Sequence, residues 1–525
     1  MALAGCGASE TAADRAARNG VLLVGNGTDP NTLDPQQLVG LPEANIVRAL
    51  SEGLVVQDPD DSAAVRPGVA ESWTHNADFT RWTFQLRKEA RWSDGTLFTA
   101  ADFLFSFRRI LSSGLRAGGA DSLFVLSNAR AFYGGRITDF AKVGVAAPDP
   151  YTLVLTTEAP TPNLLPMLTR TSFLPVNMAA VESGGAIDSK DNHWADAGTY
   201  VGNGPFLLTD RRIGRYVLVE RNPQYWDAAN VKLNAIRYLP IADPKDELTA
   251  FLNGELHITK TVPDADIARL RKSHPDFLMT DELLGANYYT FNVDRAPMND
   301  AKVRRALGLA IDRVALLKQF GVAGQHALVG MVPPGMPDYA ALGAPASDPA
   351  AARRLLAEAG YPAGKGFPAV TILINRLARN RQIAEAIAAM WKQTLGIDVG
   401  IRETDWKTYL DATASGDFQI ARAGWIYGYF DPLAILGVFE TGSSTNETNW
   451  HDPHYDALLA KARNSSDPAE RTALLKEAEA FMLQQQPLVP LFSFAQSYLI
   501  DPRVKGWGHN INGDHAYKFV SLSAN

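Results

Sequence analysis

The spacing of apolar positions along this chain switches repeatedly between two periods. Short runs, most of them rich in β-branched residues and bounded by Gly, Pro or Asp, predict strands at "YTLVLTT" from Tyr151, "RYVLVER" from Arg215, "AVTILIN" from Ala369, "IDVGIRE" from Ile397 and "FQIARAG" from Phe418. Between them the period lengthens. Over 301–320, Val303, Leu307, Ala310, Ile311, Val314 and Leu317 fall on one face behind the capping candidates Asn299 and Asp300, which predicts one long helix. A second helix is expected from Asp348 and Pro349, through Leu355 and Leu356, to a stop at Gly360. Two more are expected over 381–395 and 467–485. Strands alternating with helices and no internal repeat give a mixed α/β fold class.

Composition adds scale and removes partner classes. At 525 residues, 46% hydrophobic and 20% charged, the chain is long enough for two or three cores. A net charge of −7 without any Lys/Arg block argues against nucleic acid as a partner. No apolar run is long enough to cross a bilayer. The single cysteine, Cys6, excludes an internal disulfide, a CxxC redox pair and a multi-cysteine zinc site. Its setting, "LAGC", resembles a bacterial lipobox, in which small residues admit a signal peptidase ahead of a cysteine that becomes lipid-modified. With five residues before Cys6, the signal is expected to extend further upstream. The polar stretch 7–19, "GASETAADRAARN", then reads as a flexible tether. Lipidation at Cys6 implies a protein of the periplasm or cell envelope, held at the membrane.

Catalytic patterns are missing. There is no GxSxG elbow, HExxH or EF-hand spacing, and Cys6 lies in the tether. "VGNGTDPNTLDP" and "VGNGPFLLTD" match neither phosphate-loop pattern and read as structural turns. His451, Asp452 and His454 suit either a metal or a loop whose Asp-Pro enters a helix. No cofactor, no metal and no enzymatic activity are expected.

Several segments line up in order with one family. "LDPQQLVGLPEANIVRALSEGLV", "PGVAESW", "WTFQLRKEARWSDGTLFTAADFLFSFRRIL", "NGPFLL", "ERNPQYW", "PMNDAKVRRALGLAIDR", "LLAEAGY" and "ARAGW" resemble the peptide/nickel-type solute-binding proteins of ABC importers, above all periplasmic oligopeptide-binding proteins. The similarity runs from Gly20 to the end. It implies an α/β flytrap of two lobes with an additional smaller domain. The expected division is a tether at 1–19, lobe I at 20–51, 176–284 and 496–525, the extra domain at 52–175, and lobe II at 285–495.

The same resemblance implies a monomeric receptor that carries a peptide or peptide-like solute to membrane permease subunits. A glycan, opine or metal chelate is the alternative cargo. A peptide would be gripped by its main chain, in strand-addition mode, at Val39–Leu41 and Gly424–Tyr427, where Gly40 and Gly424 permit close approach. Trp406, Trp425, Tyr427 and Phe494 fall where the family lines its pocket, and Ile426 lies within the second clamp. Arg422 suits a ligand carboxylate or an internal ion pair. Aligned without gaps, Gly428 occupies the place of the aspartate that pairs with a ligand's α-ammonium in peptide-binding relatives. Asp431 precedes Pro432 and reads as a helix cap instead.

Overall fold

The computed structural model describes residues 10–38, 40–61, 63–336, 338–342, 347–427, 430–443, 445–509 and 513–523. The chain divides into two compact units, 1–281 with 496–525, and 282–495. The expected extra segment 52–175 lies wholly within the first.

All five predicted strands form, as Thr152–Thr156, Tyr216–Arg221, Val370–Asn375, Val399–Thr404 and Ile420–Ile426. In the first unit, Val21–Gly25 pairs in parallel with Ala235–Leu239, which continues antiparallel to Tyr216–Arg221 and then Phe206–Arg212. Its core gathers Leu22, Ile46, Leu50, Val219, Ile236 and Tyr238, with Tyr498 and Tyr517 returning from the end of the chain. A separate four-stranded sheet, ordered Ala70–His75, Arg81–Leu86, Thr152–Thr156, Val145–Asp149, belongs to the extra segment. Beside it, Phe98, Phe103, Phe107 and Phe173 form a chain of edge-to-face rings. The "VGNG" turn at 201 is structural: the Asn203 side chain accepts from the Glu52 amide at 2.9 Å and donates to the Glu52 carbonyl at 2.8 Å.

The second unit is built on a five-stranded sheet ordered Val399–Thr404, Val370–Asn375, Ile420–Ile426, Leu278–Phe291, Leu488–Leu499. Helices Ala301–Leu309, Pro349–Glu358 and Ala378–Leu395 bury Leu307, Leu356, Ile387 and Trp391 against it. Asp348 and Asp467 cap their helices with side-chain bonds to backbone amides.

The long helix expected over 301–320 is two helices, Ala301–Leu309 and Arg313–Phe320. Asp312 breaks the run, because its carboxylate accepts from the Ala315 amide and starts a second N-terminus. The helical phase is reset there, so Val314, assigned to the buried face, is 57% exposed.

Candidate functional site

Three strands of the second unit, Val399–Thr404, Val370–Asn375 and Ile420–Ile426, run parallel. Their carboxyl ends therefore share one edge, which is where open α/β sheets bind ligands. Apolar side chains that are normally hidden gather at these ends: Leu377 is 54% exposed, Trp406 56%, Trp425 37% and Ile426 49%.

The strand Ile420–Ile426 is paired unequally on its two sides. On one side it is antiparallel to Leu278–Phe291 from Phe291↔Ile420 to Gly285↔Ile426. On the other, pairing with Val370–Asn375 stops at Leu373↔Ala421. The Tyr427 amide donates to the Leu284 carbonyl at 2.8 Å, so odd-numbered residues turn their amide and carbonyl toward the paired side. The Arg422 carbonyl turns the other way and is taken by the Tyr409 phenol. With a period of two, Gly424 and Ile426 present their N–H and C=O groups along an edge that no strand among the described residues covers.

Side chains frame that edge. Asp405 caps the helix Trp406–Ser415 by accepting from the Thr408 amide at 3.0 Å, which places Trp406 at the first helical position. Its indole stacks on Tyr409 at 5.4 Å and 14°. At Gly424 an added Cβ would lie 3.0 Å from Phe494 Cζ, 3.2 Å from Arg422 Nη2 and 3.4 Å from Asn287 Oδ1. The room left by the missing side chain is thus used first by this chain's own Phe494, Arg422 and Asn287. Arg422 is half-buried, and the one hydrogen bond its guanidinium makes among the described residues is the long 3.5 Å contact to Asn287 Oδ1. The internal ion pair weighed for it does not form with any described carboxylate.

Tyr427 turns its ring inward. It is 2% exposed, burial pushes its phenol well up, and the hydroxyl donates to the Met331 carbonyl at 3.2 Å. Met331 is itself fixed from behind by Glu479, which is fully buried. Its carboxylate accepts from the Met331 amide at 2.7 Å, the Val332 amide at 2.9 Å and the Tyr339 phenol at 2.7 Å. Burial raises its pKa. Asp431 caps Pro432–Leu436 through the Leu433 amide at 2.7 Å and meets both Arg471 terminal nitrogens at 2.8 Å. No oxygen of it is left over.

In the first unit, Gly40 caps the helix Leu41–Leu50, and Leu41 is 50% exposed. A Cβ on Gly40 would lie 2.9 Å from Glu43 Oε2, whose partner oxygen accepts from the Asn31 amide at 2.9 Å. Cys6, Val39 and Gly428 lie outside the described residues. His451, Asp452 and His454 do not converge: Asp452 caps Pro453–Asn464, His451 bonds the Asn449 carbonyl and His454 packs on Phe481. No group of three metal-ligating side chains exists among the described residues. Asn287, Leu377 and Glu479 are the contributors that sequence reasoning missed. For Glu479 a signal existed, since it shares a helical face with the apolar Leu475, Ala478 and Met482.

Residues 64–447 match the bacterial extracellular solute-binding proteins, family 5 (Middle). The chain is 34% identical over 508 residues to the periplasmic oligopeptide-binding protein OppA of Escherichia coli (strain K12), covering 94% of this chain and 91% of that protein. It is 33% identical over 500 residues to the probable deoxycholate-binding periplasmic protein YgiS of the same strain, covering 94% and 91%. Among solved structures, the unliganded open form of the periplasmic murein tripeptide binding protein MppA superposes with a TM-score of 0.83 at 32% identity, covering 96% of this chain and 98% of that one. With this match along nearly its whole length and a mixed α/β fold of two lobes in common, the chain belongs to the family 5 bacterial extracellular solute-binding proteins.

Proposed function

We propose that this protein is the extracytoplasmic receptor of an ABC importer and captures peptides or peptide derivatives for delivery to the membrane permease subunits. The observation that carries this reading is the uncovered strand edge at Gly424 and Ile426, flanked by exposed Trp406 and Trp425. A bare edge offers a main chain its hydrogen-bonding partners whatever its side chains, and aromatic walls grip side chains of varied shape. Arg422, lacking an acidic partner, is available to a ligand carboxylate. Binding of this kind needs no bond making, and the reading assigns no catalytic residue and no cofactor. The division into two lobes and a smaller domain at 52–175 is part of the same proposal, supported by the separate sheet of that segment.

A second reading keeps the receptor and changes the cargo. The similarity to a probable deoxycholate-binding protein favours a non-peptide amphiphile, and the apolar edge suits one. Mass spectrometry of ligand released from the purified protein separates the two. Gly424→Leu adds a direct test. A side chain there must displace Phe494 and Arg422, so affinity for an extended peptide is expected to fall about tenfold to a hundredfold while the protein still folds. Unchanged peptide affinity by calorimetry, with a normal melting curve, would remove this strand from the site.

Attachment at Cys6 belongs to the proposal as well, supported by "LAGC" and the polar stretch behind it. Cys6→Ser in the native host should release the protein from the membrane fraction without unfolding it. Continued membrane retention of that variant would refute the anchor. No helix among the described residues is long and apolar enough to cross a membrane.

A further inference from the structure

The first unit carries a cavity that no residue of the candidate site lines. It holds about 400 Å³ between the helix Ala100–Ile110, the segment 132–138 and the helix Met178–Ser183, within the range of small-molecule pockets. Phe105, Phe132 and Met178 supply apolar wall, and Met178, 47% exposed, stands at its rim. Three charged groups face the same space: Arg108, Glu182 and Asp188. Their sum is one negative charge. Arg109, also at the wall, is already neutralised by Asp34.

Asp188 is the informative member. It is half-buried, and no described residue gives it a hydrogen bond or an ion pair. Its carboxylate presses against the chain at Gly114, where a Cβ would lie 2.2 Å from Oδ2, so glycine at 114 is what leaves this position open to it. The carboxylate keeps contact with water at the cavity wall, where a cation entering the cavity meets it as a charged acceptor not already engaged by a described residue. We propose that this cavity is a second binding site for a small organic ammonium ion, with the ammonium on Asp188 and an apolar body against Phe105, Phe132 and Met178.

Phenethylammonium chloride is a suitable probe, with 3-phenylpropionate as the control of equal bulk and opposite charge. Calorimetry on the full chain should show saturable binding of the ammonium with a Kd near or below about 1 mM, and none of the carboxylate. Asp188→Asn should weaken it about tenfold or more, because a charge-assisted hydrogen bond becomes a neutral one. Met178→Trp, which fills the cavity from its exposed rim, should abolish it. Trp425→Ala, at the candidate peptide site in the other unit, should leave it unchanged. The melting curve identifies a variant that has not folded, and if Asp188→Asn is one, Met178→Trp decides. Absence of saturable binding overturns the proposal, as does full affinity in a folded Asp188→Asn or Met178→Trp variant. Loss of the signal in Trp425→Ala would mean that the probe reports the peptide site, and overturns it too.

Discussion

Replacing Arg109 by leucine will destabilise the first unit by about 3–5 kcal/mol, a large share of the 5–15 kcal/mol by which domains are ordinarily stable. Arg109 and Asp34 are 0% and 1% exposed. Arg109 Nη2 donates to Asp34 Oδ2 at 2.7 Å, and Nη1 donates to Asp34 Oδ1 at 3.2 Å and to Gln36 Oε1 at 2.7 Å. Nε spends its proton on the Ile187 carbonyl at 2.6 Å. Asp34 in turn accepts from Trp194 Nε1 at 3.0 Å and from the Gln36 amide at 3.0 Å. The network ties the helix Ala100–Ile110 of the extra segment to the loop leading into Leu41–Leu50. Leucine fills much of the volume but strands the Asp34 charge in a dry interior, and that stranded charge is the main cost. The double variant Arg109→Leu with Asp34→Leu should therefore be more stable than Arg109→Leu alone, since both charges leave together. Urea unfolding of the wild type, both single variants and the double variant closes the cycle. Additive effects would show that the pair is not coupled.

The parts of this protein that were legible in its sequence are those fixed by local chemistry. Five strands are legible, most of them from their β-branched runs, and Asp348 and Asp431 mark helix starts by preceding proline. Asp312 carries the same capping chemistry without a proline behind it, and the apolar period running through it concealed the break. The site divides in the same way. Trp406, Trp425 and Arg422 came from the resemblance, whereas the uncovered edge of Ile420–Ile426 depends on where the neighbouring strand stops pairing, and local sequence does not specify register. Tyr427 is expected among the pocket aromatics, yet its ring packs inward and its hydroxyl reaches the Met331 carbonyl, a contact between segments distant in sequence. Glu479 is not legible in the sequence by residue type, since a glutamate in a helix is usually solvated. Its burial follows from three donors brought together by the fold.

Gly428→Asp is expected to raise affinity for free-amine tri- to pentapeptides by about a hundredfold. The prediction rests on the proposed peptide reading and on the family resemblance, which implies that Gly428 stands where peptide-binding relatives carry an amine-binding aspartate. A free α-ammonium taken out of water without a carboxylate partner costs on the order of 3 kcal/mol, which corresponds to that factor in Kd. The nearest downstream carboxylate does not substitute. Asp431 is 2% exposed and fully committed to the Leu433 amide and to Arg471. Wild-type protein should accordingly bind an N-acetylated peptide more tightly than the same peptide with its amine free, and the variant should reverse that order. Aspartate removes the backbone freedom that glycine has, so a melting curve of the variant comes first. Calorimetry of both proteins with one peptide and its acetylated form then separates the outcomes. A wild type that binds the free-amine peptide at least as tightly as the acetylated one would mean that another group holds the ammonium, and the lost-anchor reading of Gly428 would be wrong.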